Sequence, residues 1–528
     1  MICLKRMNWF PPMYNPFKTQ AFRAIRAHSN VIKSTLCALL AVSIIAITWL
    51  LVWSESRTGF PNDDIVVYAM IAKLWGQGMI PYRDLADHKP PLIYSFFRLC
   101  FLFGGLSPKA LYQGYTLLTG LVVLGFLFCG WMMSRFFLGI LLGGFFAFFF
   151  VTDPLQLGGT AFLNTESLAS IFLALALALL LAHRTKTSLW LVGAAGVAFG
   201  CAVMSKQPAI LFGFPCFVQL LTTYVRPLNA QTIRKFLLAS FVFCVGASVP
   251  ILAYLIYFAA HHALYDLIFF TYKVNISYAG LNFILSPLRR NIFAEHMASL
   301  GNQLVHATMP MYLWGILALP ALVIFRRSWL DLVSLSWILS ALTCTALNVQ
   351  GPHVHYHVFY QVPIALAAAI LVEMVISVIP GHTIVRCTAA LCALVFIFSS
   401  DASRVYARIQ RTLAVGPTPK DSYDAIETRK FMSKLDALAG DNPRILFCGQ
   451  NLQALFYTDL LPASKYIYDP PGVLPSELFK ERLNSFKLYR PRVGLTRNCS
   501  QSEELNQYIR ENYVSQEHDA ENRSLFLK

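Results

Sequence analysis

The residues best suited to chemistry lie between Phe60 and Phe97. Asp63, Asp64, Asp84 and Asp87 share this stretch with Lys73, Arg83, His88 and Lys89, and Pro90-Pro91 follow directly. A carboxylate held at the edge of an apolar body can act as a general base. A lysine fixed by an extended proline pair can point at an anion. At about 4 Å and an effective dielectric near 20, such a contact is worth ~4 kcal/mol before desolvation, and phosphate is its natural partner. Asn62, Asp63 or Asp64 could instead cap a helix running to about Gln77, since Asp and Asn are favoured N-caps. Capping accounts for one acidic residue better than for two. The helix would carry Ile65, Tyr68, Ala69, Ala72 and Trp75 on one face, suited to the membrane interface.

Charged side chains recur where the chain is otherwise apolar, and at membrane depth such groups are costly. Glu166 follows Asn164-Thr165 at the start of an apolar span; it either sits in the headgroup region, caps the helix, or serves the site. Asp153 with Pro154 reads as the end of the preceding span. Lys206, in Ser205-Lys206-Gln207-Pro208, interrupts two spans with almost no loop. It either snorkels to headgroups or binds a phosphate. His353, His355, Tyr356 and His357 form a further polar cluster. Histidines two apart lack the i, i+4 spacing of a helical metal site. A plain polar loop accounts for them, with substrate contact by His355 or Tyr356 as the functional alternative, ahead of a metal.

The elements that must position these residues are membrane spans. Hydrophobic residues make up 56% of the 528 residues and charged ones 13%, about half the ~25% of a soluble domain. Windows of about 20 apolar residues predict spans at 34–53, 112–133, 137–151, 162–182, 188–204, 208–225, 237–259, 310–325, 329–347, 358–379 and 383–400. The net charge of +16 does not point to nucleic acid. Much of it follows the positive-inside rule: Lys5, Arg6, Lys18, Arg23, Arg26 and Lys33 in a basic cytoplasmic segment 1–33, then Arg135, Arg184, Lys186, Arg226, Arg326, Arg327 and Arg386 in alternate loops. The segments 54–111, 152–161, 205–207, 260–309 and 348–357 then fall on the outer side. So the expected organisation is a transmembrane domain over 34–400 with a catalytic first outer loop 54–111. A polar domain, 401–528, follows on the outer side. There Arg444–Cys448 and Arg492–Thr496 read as strands between helices near 421–439, 474–485 and 501–512, which suggests a small α/β fold. Most cysteines sit in apolar spans as small core residues; Cys448 and Cys499 in the tail could pair if it faces an oxidising compartment.

An acidic pair before Tyr68, then Gly78, Pro81-Tyr82-Arg83-Asp84 and Lys89-Pro90-Pro91, resembles the first outer loop of GT-C-fold glycosyltransferases. The nearer likeness is to the superfamily of protein O-mannosyltransferases and lipid A aminoarabinose transferases. Asn164-Thr165-Glu166, Ser205-Lys206-Gln207 and His355-Tyr356 are similar to its later landmarks, and the likeness covers roughly 60–370. The family usually has Asp-Glu, the Asp four residues before the Tyr; here Asp64 holds that place and Ile65 stands where Glu is usual. The resemblance implies a polytopic α-helical GT-C-like membrane protein of about eleven spans, with the small C-terminal α/β domain. It implies inverting transfer of a sugar from a polyprenyl-phosphate donor to a lipid, glycan or protein hydroxyl. Asp64 would be the base, with Asp63 in place of the missing neighbour and Glu166 orienting the acceptor or the loop. Lys89 and Lys206 would hold the phosphate; Tyr68, Tyr82, Arg83, Asp84, His88, Gln207, His355 and Tyr356 would contact substrate, with Trp75 and Tyr82 stacking on the sugar. No cofactor is required, and a divalent metal stays open. The setting would be the bacterial inner membrane, with the site and the C-terminal domain on the periplasmic face. A flippase would need polar groups near the bilayer midplane and often a repeat; a glycan polymerase or ligase is the nearer rival, and a non-enzymatic scaffold leaves the loop unexplained.

Overall fold

The structure is a computed structural model. It describes residues 63–156, 163–225, 227, 229–276, 329–346, 358–378, 433–449, 456–467, 476–497, 503–518 and 524–527, with a few isolated positions. The spans expected at 34–53, 310–325 and 383–400 lie outside the described residues.

The bundle is built from α1 (Asp63–Gly76), α2 (Leu92–Gly104), α3 (Pro108–Met132), α4 (Phe136–Gln156), α5 (Thr165–Lys186), α6 (Leu189–Ser205), α7 (Gly213–Tyr224), α8 (Ala230–Ala260), α9 (Leu264–Ile268), α10 (Trp329–Ala346) and α11 (Gln361–Val378). Among the described residues, four helices are long and apolar enough to cross a membrane: 108–132, 165–186, 230–260 and 358–376. Helix α3 shows why. Leu117, Leu121, Leu124, Phe128 and Trp131 recur at helical spacing and are exposed, whereas Tyr115, Thr119, Val122 and Phe126 are buried. An exposed apolar stripe opposite a buried face suits lipid as the surrounding solvent. Ser107 starts α3 by accepting a hydrogen bond from Ala110 N, with Pro108 in the first turn. Asn229 and Thr232 start α8 with a reciprocal capping box.

Several expectations are corrected. Helix α1 does not lie amphipathically on a surface: Ile65 to Ala72 are all buried, as are Lys73, Leu74 and Trp75. Of the segment 54–111 expected as the first outer loop, the described residues 63–111 are largely helical, because α2 follows the loop at once. Helix α4 runs through Asp153-Pro154 to Gln156, beyond the 137–151 expected. The turn at 205–207 is an extended Lys206 followed by a 3-10 segment, Gln207–Phe212, so α7 proper is short. Cys244 faces outward, unlike the buried Cys100, Cys129, Cys216 and Cys344.

Helices α6 and α8 pack backbone to backbone. A Cβ on Gly196 would fall 2.2 Å from Phe243 O, one on Gly200 2.2 Å from Ala247 O, and one on Gly246 2.2 Å from Gly193 O. Small residues allow such approach in membranes. Gly196→Leu should exceed the ~1–3 kcal/mol usual for overpacking. The expected readout is loss of the monodisperse peak in detergent size exclusion; an unchanged peak and melting temperature would contradict this packing.

The C-terminal part is a five-stranded sheet of order β2-β1-β3-β5-β4, from β1 (Arg444–Gly449), β2 (Leu461–Pro462), β3 (Val493–Arg497), β4 (Val514–His518) and β5 (Ser524–Leu527), with α12 (Ser476–Tyr489) and α13 (Glu503–Asn512). Strands β2, β1 and β3 are parallel; β3–β5 and β5–β4 are antiparallel. Leu446, Leu483, Phe486, Leu505 and Ile509 form a core between the sheet and its helices.

Candidate active site

Residues 77–91 form the loop between α1 and α2, and its shape is set by its own hydrogen bonds. Gly78 has φ +99°, a conformation that favours glycine. Tyr82 also sits at positive φ, 69°, in a tight turn where Tyr82 N donates to Leu85 O at 2.7 Å. Asp84 closes the turn by accepting from Ile80 N at 2.7 Å. Arg83 forks onto the Asp84 carboxylate at 2.8 and 2.9 Å and reaches His261 O.

The second half of the loop is buried. Asp87 accepts from Tyr94 Oη at 2.5 Å, from His88 N at 2.7 Å and from the His88 ring, Nδ1 to Oδ1 at 3.1 Å. His88 O in turn accepts from Asn275 Nδ2 at 2.6 Å and from Gln207 Nε2 at 3.5 Å. Tyr82 Oη donates to Lys89 O at 2.7 Å. The backbone around Lys89 is therefore gripped from four sides, and its side chain projects from a fixed base.

What that side chain meets comes from helix ends. Glu166, in the first turn of α5, is fully buried; its Oε1 lies 2.5 Å from Lys206 Nζ at the end of α6, and Thr165 Oγ1 donates to its Oε2 at 2.8 Å. Asn164 caps α5, and Tyr115 Oη holds its carbonyl at 3.0 Å. Burial, then the Lys206 ammonium, push Lys89 below the usual lysine range, while Asp64, Glu166 and Asp87 pull it up. Asp64, half-buried in the first turn of α1, thus shares one electrostatic neighbourhood with Lys89, Lys206 and Glu166. His88 is lowered by burial and by Lys89, against Asp87.

Burial works to raise the Asp87 carboxyl, but the His88 hydrogen bond and the nearby cations outweigh it and hold it below the usual carboxylate range. Its contribution to the loop is complete above the unfolded value of about 3.9 and is lost as pH falls through the lower folded one. The melting-temperature gap between wild type and Asp87→Asn should be widest near neutrality and narrow below about pH 4. A gap independent of pH would contradict this role.

Glu166 and Lys206 form an ion pair, and both act electrostatically on Lys89, as do Asp64 and Asp87, while His88 feels Lys89 and Lys206. Tyr68 is buried against Tyr94 and Phe97. The other expected substrate contacts carry hydrogen bonds within the protein: Tyr82 Oη to Lys89 O, Arg83 to Asp84 and His261 O, Asp84 to Ile80 N, and Gln207 Nε2 to Thr271 O at 3.1 Å and His88 O at 3.5 Å. Tyr82 has no exposed surface to offer a sugar, and Trp75 is buried with its Nε1 bonded to Tyr257 Oη at 2.7 Å. The Asp63 side chain, His355, Tyr356 and Cys499 lie outside the described residues. Sequence reading gave no role to Asp87, Tyr94, Asn275 and Tyr115. Asp87 carried a signal, an acid directly before a histidine; the others are ordinary polar residues in apolar helices.

An apolar groove of about 740 Å³ lies between α5, α6 and α8, lined by Phe172, Leu175, Leu179, Trp190, Val197 and Cys201 among others and by none of the charged residues above. Its Cys201 end lies one turn before Ser205, whose hydroxyl donates to Cys201 O at 2.9 Å, and so lies close to Lys206. Among the described residues no three His, Cys, Asp or Glu side chains converge as a metal site.

This architecture is a GT-C-like glycosyltransferase fold. Solved structures similar to it include the Archaeoglobus fulgidus oligosaccharyltransferase in complex with zinc and sulfate, at TM-score 0.53 and 12% identity over 86% of this chain and 67% of that one. The same enzyme tethered to an acceptor peptide with an NVT sequon gives 0.51 and 12% over 86% and 69%. ArnT from Cupriavidus metallidurans in the apo state gives 0.51 and 14% over 93% and 98%. No protein-family profile and no curated protein matches the chain.

Proposed function

We propose that this protein is a membrane glycosyltransferase. It moves a sugar from a polyprenyl-phosphate donor to a hydroxyl of a lipid, glycan or protein, with inversion, on the periplasmic face of the inner membrane. The observation that carries this reading is the cluster itself. A lysine on a hydrogen-bonded loop lies within electrostatic range of a half-buried carboxylate and a buried Glu166–Lys206 pair, and α6, which ends at that pair, also lines an apolar groove wide enough for an isoprenoid tail. The GT-C-like fold supports it.

In this mechanism Lys89 holds the donor phosphate. Lys206 is already neutralised by Glu166, so its charge serves the phosphate as a pair with that carboxylate rather than as a lone cation. Asp64 takes the proton of the acceptor hydroxyl, whose oxygen attacks the anomeric carbon. The bond to the phosphate oxygen breaks with its electron pair, leaving polyprenyl phosphate. Lys89 stabilises the charge that develops there. Phosphate leaves without prior protonation, so no second carboxylic acid is needed, unlike in a glycosidase.

Two measurements test the reading. Asp64→Asn should lower transfer from lipid-linked sugar in membranes by about 10²–10⁴-fold; undiminished turnover would remove Asp64 from the mechanism. Lipid and glycan mass spectrometry of a deletion strain should show accumulated polyprenyl-phosphate sugar and one missing decoration. Unchanged lipid and glycan pools, or lipid-linked sugar retained on the inner leaflet, would overturn it.

A further inference from the structure

The loop that carries Lys89 is held from outside the helical bundle as well as from within it. Residues 456–467, which include the edge strand β2, run along the loop. Lys73 sits one turn before the end of α1 and is 7% exposed. Its ammonium donates to Thr458 O at 2.5 Å and to Phe456 O at 3.0 Å, with Asp459 at 4.0 Å. On the other side of the loop, Ala86 N donates to Lys465 O at 2.8 Å. Ring contacts reinforce both ends, Phe456 on Phe101 at 5.8 Å and Tyr466 on Phe270 at 6.4 Å.

The segment is also anchored to the sheet. β2 pairs with β1, Arg444 Nη1 donates to Pro462 O at 3.0 Å, and Lys465 pairs with Glu481 at 2.9 Å. A buried lysine is a poor way to gain stability, since an apolar residue of similar volume often does as well. It does fix geometry, because its donors must find these carbonyls and no others. The grips at Lys73 and Ala86 bracket the tight turn of residues 80–85, and the second lies three residues before Lys89.

We propose that the segment 456–467 is a strap that positions the catalytic loop, with Lys73 as its positioning residue. The C-terminal sheet is then a working part of the donor site, although it supplies no group to the reaction. The inference rests on the donor-site reading above for its functional meaning, and on the contacts alone for its structural one.

The test uses the full chain in lipid nanodiscs, with undecaprenyl phosphate as probe. In Lys73→Met, amide exchange at Tyr82, Asp84 and Ala86 should quicken by about tenfold or more, as expected for lost charge-assisted hydrogen bonds. Exchange in α5, α6 and β3 should stay as in wild type. Affinity for undecaprenyl phosphate should fall about tenfold, and Lys73→Arg, which keeps charge and donors, should recover most of both effects. Unchanged loop exchange in Lys73→Met would overturn the strap, and so would faster exchange throughout the protein or failure of Lys73→Arg to restore the loop. If Lys73→Met does not fold, Phe456→Leu, which weakens the ring contact without touching charge, should quicken the same amides. If wild type does not bind undecaprenyl phosphate while loop exchange behaves as expected, the donor reading falls and the strap stands.

Discussion

Lys89→Met should cut affinity for undecaprenyl phosphate by about 10- to 100-fold, the range for one hydrogen bond to a charged group. The side chain stands on a backbone held by Tyr82 Oη at its own carbonyl and by Asn275 at the carbonyl before it, so the loop should keep its shape. Burial and Lys206 hold the Lys89 ammonium below the usual lysine range. Phosphate favours the charged form. Affinity should therefore fall as pH rises through that lowered value, earlier than a free lysine at about 10.4 would allow. Lys89→Arg, which stays protonated at pKa above about 12, should bind across that range. Equal binding by wild type and Lys89→Met, or a wild-type affinity that does not respond to pH, would remove Lys89 from the phosphate site.

The second large effect concerns Glu166. Glu166→Leu leaves Lys206 buried beside Lys89 without its carboxylate. Breaking a buried pair from one side costs about 3–5 kcal/mol, whereas removing both charges is often neutral or stabilising. Thermal unfolding in detergent should show a large loss for Glu166→Leu and recovery in Glu166→Leu/Lys206→Met, without recovery of transfer. This separates the buried pair from a headgroup-facing Glu166, whose replacement would cost little. A small loss in the single variant, or losses that simply add in the double, would contradict the pairing.

The sequence exposed the charges of the site but not their partners. Glu166 and Lys206 were visible because each interrupts an apolar run, and both recur in the order expected of the resemblance. Their pairing was not, because it joins the start of one helix to the end of the next through packing. Tyr82, Arg83, Asp84 and Gln207 looked like substrate contacts because polar residues in an outer loop invite that reading. In the structure Tyr82 Oη and Gln207 Nε2 donate to backbone carbonyls and Asp84 accepts from a backbone N–H, as buried backbone groups require, while Arg83 pairs with Asp84 and reaches His261 O. Trp75 was misplaced for a related reason: a face pattern on α1 assumes that one side meets solvent or headgroups, and α1 is buried from Ile65 to Trp75. Apolar runs located β1 and β3, whereas Val514–His518 is too polar to signal a strand.

In the proposed mechanism Asp64, Lys89 and the Glu166–Lys206 pair enclose the donor phosphate. A cryo-electron microscopy map of the protein in nanodiscs with undecaprenyl phosphate tests it most directly. Phosphate density is expected at hydrogen-bonding distance from Lys89 Nζ, with the isoprenoid chain entering the groove past Cys201. Phosphate density away from Lys89, or an empty cluster at saturating lipid, would contradict it.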